Sequence, residues 1–279
     1  MESNAANESA NALAIRYGGD LRNLLMSNRT FILQLAHPSV GAGVVQHSNF
    51  RNDPWSRLRE IAYSGNQMMF NGHDAAVAEG ERLREMHRHI KGVNAHGEQY
   101  HALNPKVYGW VHFVFYESNL TCHQLFGQPV PEQEQELLFQ NWRESAQYFG
   151  LREKDLPATQ EEYWAKWHAM MRDQLESNEA IKFIINLQQH QLQPPPALQW
   201  LPDLLWKSIW QPLARETDLI TVGTLPPDFR DKLNLNWSDK QQQRFDRWRR
   251  HVQRIFKALP ADWRLMPEAR RHLAQKCRD

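Results

Sequence analysis

The stretch from Asn104 to Gly127 constrains this chain more than any other. Asn104-Pro105 pairs a capping side chain with a residue that needs no N–H, the device that opens a helix. Val107, Trp110, Val111, Phe113, Val114, Phe115, Leu120, Leu125 and Phe126 then leave that helix apolar nearly all round, the pattern of a helix at the centre of a domain. A central helix needs a coat, and the flanking sequence offers more helices. Asp53-Pro54 repeats the cap-and-proline device ahead of a run to about Asn71-Gly72, and Asp74 reads as the cap of a further helix to about Lys91-Gly92. Pro131 opens another, closed by Gly150. Thr159-x-x-Glu162 and Ser238-x-x-Gln241 read as capping boxes ahead of amphipathic runs. The second run puts Phe245, Trp248, Val252, Ile255 and Leu259 on one face and Arg or Lys on the other. β-type alternation is hard to find, so the expected fold is all-α.

Length and charge sharpen this expectation. The 279 residues suffice for one large domain with a full core. The mean hydropathy of −0.70 and the absence of any run of 18 apolar residues predict no transmembrane span. Met1 to Asn11 is polar and acidic, without the pattern of a secretory signal. The two cysteines, Cys122 and Cys277, make neither a disulfide framework nor a zinc site, so a reducing, cytoplasmic setting is expected. From Lys240 onward, 12 Lys and Arg stand against 4 Asp and Glu, which makes the C-terminal part strongly basic. Gln193-Pro194-Pro195-Pro196 cannot be helical and reads as a stiff connector. The expected organisation is a flexible N-terminus over 1–16, a helical core over 17–192, and a helical C-terminal extension over 193–279 packed on that core.

Chemistry is sparser. Ala76, Gly80, Leu83, His87 and Ile90 fall three or four residues apart and share one helix face, with Ala76 and Gly80 expected to leave space beside His87. His89 falls with Arg82 and Glu85 on the wet side. A neutral imidazole on an apolar wall suits a haem iron, and it equally suits a core histidine bonded to a carbonyl. Arg57 and Ile61 share a face of the preceding helix. Arg57 there is either a clamp for a carboxylate such as a haem propionate or an ordinary surface arginine. His112, inside the apolar helix, is either an acid–base group or a satisfied core residue, and Cys122 either a thiolate ligand or packing. No His-Glu-x-x-His, Gly-x-Ser-x-Gly, P-loop or Gly-x-Gly-x-x-Gly pattern occurs.

The order of several short motifs resembles one family. Gly19-Asp20-Leu21-Arg22, Gln34-Leu35-Ala36-His37-Pro38-Ser39-Val40 and Gly43-Val44-Val45-Gln46-His47-Ser48-Asn49-Phe50 look like the opening of the MpaB-type oxygenases, which include the catalytic domain of rubber oxygenase. Asp53-Pro54-Trp55-Ser56-Arg57-Leu58, Arg84-Glu85-Met86-His87-Arg88-His89-Ile90-Lys91-Gly92, Tyr100-His101-Ala102-Leu103-Asn104-Pro105 and Trp110-Val111-His112 continue the likeness. Weaker echoes follow at Phe126-Gly127-Gln128-Pro129 and at Thr221-Val222-Gly223-Thr224-Leu225-Pro226-Pro227, so coverage runs from about residue 17 to 270. The resemblance implies an all-α fold that binds haem b between core helices. It puts His87 at the proximal iron ligand and Arg57 on the haem-pocket helix; Ile61 and Leu83, on the faces of Arg57 and His87, are expected beside the cofactor, and His112 is the candidate acid or base. In the rubber oxygenase pattern a Lys-Thr pair occupies the third and fourth positions after the arginine. Here Glu60 and Ile61 stand there, which argues against a lysine-ligated state, and the lack of a secretory-signal pattern, where rubber oxygenases are typically secreted, argues against polyisoprene.

The function so implied is a haem b-dependent oxygenase that uses dioxygen on a small hydrophobic, alkene-bearing substrate. A haem carrier or sensor without turnover is the alternative. A third reading makes the basic C-terminal helices a docking surface for anionic membrane or nucleic acid, the latter not expected. Trp200, Leu204, Leu205, Trp206, Ile209 and Trp210 could make peripheral membrane contact or pack on the core.

Overall fold

The computed structural model describes residues 2–189 and 192–276, and Cys277 lies outside the described residues. The helices run in the order α1 Glu2–Gly18, α2 Ser27–Leu35, α3 Pro38–His47, α4 Pro54–Met69, α5 His73–His87, α6 Pro105–Phe126, α7 Glu132–Ser145, α8 Gln160–Asp173, α9 Glu179–Gln189, α10 Asp203–Thr224, α11 Pro227–Lys232, α12 Asp239–Ala258 and α13 Pro267–Lys276. A single hairpin of two short strands, β1 Lys91–Val93 and β2 Gln99–His101, interrupts them among the described residues. The fold is all-α, as the periodicity predicts.

Helix α6 is the axis. Val114, Cys122 and Phe126 on it are fully buried, and its neighbours cover most of it, leaving Phe115 half exposed. Helix α2 brings Ile32, Leu33 and Leu35, while α7 and α8 bring Phe139, Trp142, Tyr163 and Trp167. The residues beyond the proline connector close the far end: Phe245 of α12 meets Phe126 edge-on with ring centroids 6.3 Å apart, and Gln253 donates to the Leu125 carbonyl. A buried ion pair ties the axis to its coat. Arg29 of α2 donates to both Glu117 oxygens of α6 at 2.6 and 2.7 Å, to Ser118 Oγ, and to the Thr224 carbonyl at the end of α10.

Three expectations fail at the edges. The N-terminus expected to be flexible forms α1, because Ala10, Leu13, Ala14 and Tyr17 make an i, i+3, i+4, i+7 stripe within a polar sequence. Ala10 and Ile15 are buried, and Tyr17 donates to Glu134 of α7. Helix α5 starts at His73, behind Gly72 at φ 86°, so Asp74 lies in the first turn instead of capping it. The same helix stops at His87 and not near Lys91, because the chain turns there into the hairpin, pairing Lys91 with His101 and Val93 with Gln99. Asn94 braces that hairpin by accepting from the backbone N–H groups of His96 and Glu98, and Gly97 takes φ 79° in the turn. Of the two capping boxes, Ser238 and Gln241 form a complete one. Thr159 accepts from the Glu162 N–H, but the Glu162 carboxylate serves the Ala158 N–H instead.

Candidate functional site

Helices α4 and α5 lie side by side, and α4 is held at both ends. At its start, Trp55 donates to the Gln193 carbonyl at 2.8 Å and meets the Trp210 ring edge-on. Beyond its end, Phe70 is buried and its carbonyl accepts from His272 Nδ1 at 2.7 Å. Yet no residue of α4 itself is buried. Leu58, Ile61 and Tyr63 keep 53%, 42% and 54% of their surface exposed, so the anchored helix leaves apolar side chains open to solvent. The α4–α5 seam is polar: Glu79 of α5 is buried and accepts from Arg82 at 2.6 and 2.8 Å and from Ser64 of α4 at 2.5 Å. Arg82 lies on the wet side, as expected, with 48% of its side chain exposed, and it also donates to Ser64 Oγ at 3.1 Å across the seam.

His87 occupies the last turn of α5, half-buried. Its Nδ1 lies 2.7 Å from the Leu83 carbonyl, which can only accept, so Nδ1 carries the proton. Nε2 therefore keeps its lone pair, and it has no partner among the described residues. The Tyr108 ring of α6 packs edge-on against the imidazole at 5.5 Å. Burial lowers the His87 pKa, the Leu83 bond offsets part of that, and the charges of Arg57 and Arg82 lower it further. The ring is neutral at neutral pH, with Nε2 as its basic nitrogen. Arg57 donates to Glu60 at 3.0 Å, a partly exposed pair one turn along α4. Ile61 follows Arg57 by one turn, and Leu83 contributes the carbonyl that fixes the His87 tautomer. His89 lies in the turn that follows α5 and is exposed.

Two other expectations change. The space foreseen at Gly80 is filled: a Cβ there would stand 2.1 Å from the Tyr148 carbonyl, so the glycine serves a close backbone approach. His112 is sealed in the core, 4% exposed, stacked on Trp142 with centroids 4.9 Å apart. Its Nε2 donates to the Trp142 carbonyl at 2.8 Å, Trp142 Nε1 returns a bond to the His112 carbonyl, and burial pushes its pKa down to about 4. The rings of Tyr108 and Phe149 lie in the line of contacts from His87 to His112. That is the placement of a core histidine, separated from His87 by those two rings. Cys122 is fully buried, and burial pushes its thiol up to about 12, so it is packing.

Tyr108 is the residue that sequence reasoning missed. Its ring backs His87, its phenol has no hydrogen-bond partner among the described residues, and burial pushes its pKa up to about 12. Periodicity shows it only as one more aromatic on α6. A small hollow of about 280 Å³ on the adjoining face of α5, lined by His73, Val77, Arg84, Gln147 and Tyr148, is a separate feature. Among the described residues, no three His, Cys, Asp or Glu side chains converge to hold a metal ion by themselves. A macrocycle that supplies four nitrogens needs only one such side chain from the protein, and His87 Nε2 has the chemistry for it.

Fold and site together define an all-α protein that carries one neutral histidine at the end of α5 and one arginine near the start of the adjoining α4. Over residues 15–254 the chain matches the family described as ER-bound oxygenase mpaB/B'/rubber oxygenase, catalytic domain, and it belongs to that family. Among curated proteins it is similar to an uncharacterised protein of Mycobacterium tuberculosis and to one of Mycobacterium bovis. Each is 25% identical over 241 residues, covering 83% of this chain and 88% of the relative. No solved structure matches it. No helix among the described residues is long and apolar enough to cross a membrane.

Proposed function

We propose that the protein is a haem b-dependent oxygenase acting on a small hydrophobic, alkene-bearing substrate. The observation that carries this reading is the His87 imidazole. Its Nδ1–H is tied to a backbone carbonyl, which fixes the ring and leaves Nε2 basic, the usual second-shell arrangement of a histidine that binds metal. Depression of its pKa keeps it in the neutral form a ligand requires. Haem b, held there, would supply iron for the activation of dioxygen.

The chain's own residues do the rest. His87 Nε2 would bind the iron from the α5 side, and Tyr108 would hold the imidazole plane by its edge contact. Arg57 would take a propionate through charge-assisted bonds. Its present partner, Glu60, is 59% exposed, and such a surface pair is weak enough to give way. Leu58 and Ile61 present exposed apolar surface beside Arg57, which would favour a hydrophobic substrate over water. Membership of an oxygenase family favours turnover over mere carriage.

Titration of the purified protein with hemin tests the reading. The expected result is a Soret shift that saturates at one equivalent, with retention weakened about tenfold in Arg57→Ala, the effect of roughly one charged hydrogen bond. Absence of any Soret shift would overturn it. Dioxygen uptake with an alkene-bearing hydrocarbon as substrate then separates an oxygenase from a carrier.

A further inference from the structure

The N-terminal half of α10 carries a surface that neither the core nor the His87 site explains. Leu205, Ile209 and Leu213 recur every fourth residue and form one stripe, with Leu204 beside it and Trp200 at its head. These five side chains are between 53% and 76% exposed. The helix itself is firmly seated, because Trp206 on its other side is buried and stacks on Trp210 at 5.6 Å. The stripe therefore points outward from a fixed helix.

One turn beyond Leu213, the Glu216 carboxylate is held by Arg244 of α12. That contact joins the stripe to the most basic surface of the molecule. Helix α12 holds seven Lys and Arg against two Asp. Its inner face, with Phe245 and Val252, is buried on α6 and α10. Lys240, Arg247, Arg250, Arg254 and Lys257 are left outside, and none of them has an ion-pair partner among the described residues. An apolar stripe thus continues into a face of unpaired cations.

We infer that this joined surface docks on an anionic lipid bilayer, with Leu204, Leu205, Ile209 and Leu213 entering the acyl boundary, Trp200 at the headgroup level, and the α12 cations on the lipid phosphates. Charge selects this occupant over a second copy of the chain. A two-fold contact through the stripe would bring one α12 face toward its equivalent, cation against cation. A bilayer with anionic headgroups satisfies both halves at once. The inference rests on this surface and not on the proposed chemistry.

Co-sedimentation of the full chain with vesicles tests it, using phosphatidylcholine alone and phosphatidylcholine mixed with phosphatidylserine. The expected result is binding to the mixed vesicles that falls at least tenfold on phosphatidylcholine alone and weakens with added salt. Leu204→Ser with Ile209→Ser, and separately Arg247→Glu with Arg250→Glu, should each abolish it. All four sites lie at the surface, so circular dichroism of both variants should match the parent. A blue shift of emission on vesicle addition that disappears in Trp200→Phe would place Trp200 in the interface. Equal binding to both vesicle types, or none to either, would overturn the inference. So would a dimer in sedimentation velocity that Leu204→Ser with Ile209→Ser dissolves, which would make the stripe a self-association surface.

Discussion

Replacing Arg29 by Met tests whether the buried ion pair holds the helical coat to its axis. Arg29 keeps 1% of its surface exposed and makes four hydrogen bonds that reach α2's neighbours α6 and α10. Met fills similar volume without charge, so the cavity contribution is small and the loss is electrostatic. Glu117, 5% exposed, would keep only the Thr121 hydroxyl at 2.8 Å as a partner, and Ser118 and the Thr224 carbonyl would each lose one. Leaving one charge of a buried pair uncompensated costs about 3–5 kcal/mol. For a chain of this size that corresponds to a Tm lowered by roughly 5–9 °C. Thermal or urea unfolding followed by circular dichroism measures it. The double variant Arg29→Met with Glu117→Leu removes both charges and should be more stable than Arg29→Met alone, because no orphaned carboxylate remains. A single-variant cost below about 1 kcal/mol, or a double variant that loses the two costs additively, would refute the argument.

Two further perturbations follow from the same structure. Phe245→Ala removes a ring that is 3% exposed and wedged between Phe126, Trp237 and Gly223. It should cost about 3–5 kcal/mol in denaturant unfolding, and an unchanged stability would mean that α12 is not docked on α6. Asp218 on α10 has no hydrogen-bond or ion-pair partner among the described residues, and burial raises its pKa from 3.8 to about 6. With the folded pKa above the unfolded one, the folded state holds more protons between those values, so this contribution is present at low pH and lost as pH rises through about 6. Asp218→Asn should therefore raise stability near neutral pH by about 1–2 kcal/mol, reduced for the group's partial exposure, and the gain should vanish below the unfolded pKa. A gain that is constant with pH would show that the carboxylate does not titrate as placed.

Much of this architecture is legible in the residues because its signals are local. Asp53, Asn104 and Ser238 cap helices through bonds to N–H groups two or three residues away, and an apolar circumference marks α6 as central. The faces that bear Arg57 and His87 also follow from helical spacing. What spacing does not show is that those two faces meet, since their relation depends on how α4 and α5 pack. Gly80 illustrates the same limit. It looks like open space on a helical wheel, whereas the Tyr148 carbonyl, 68 positions along, fills it. The Arg29–Glu117 pair spans 88 positions and has no local signature. Tyr108 is an ordinary core aromatic until α5 brings His87 against its ring. The β1–β2 hairpin is hidden for another reason, because strands of three residues are too short to alternate visibly.

The account stands or falls on His87, and hemin titration of His87→Ala beside His89→Ala measures its role most directly. His89 lies in the turn just beyond α5 and is exposed, so the two histidines are close in sequence and differ in surroundings. If His87 Nε2 is the axial ligand, His87→Ala loses the parent Soret band or holds hemin only loosely, free imidazole partly restores the band, and His89→Ala titrates like the parent. If His87 is only a packed residue, its removal lowers stability by roughly 1–3 kcal/mol while hemin binding is unchanged. A parent-like Soret band in His87→Ala would contradict the central claim.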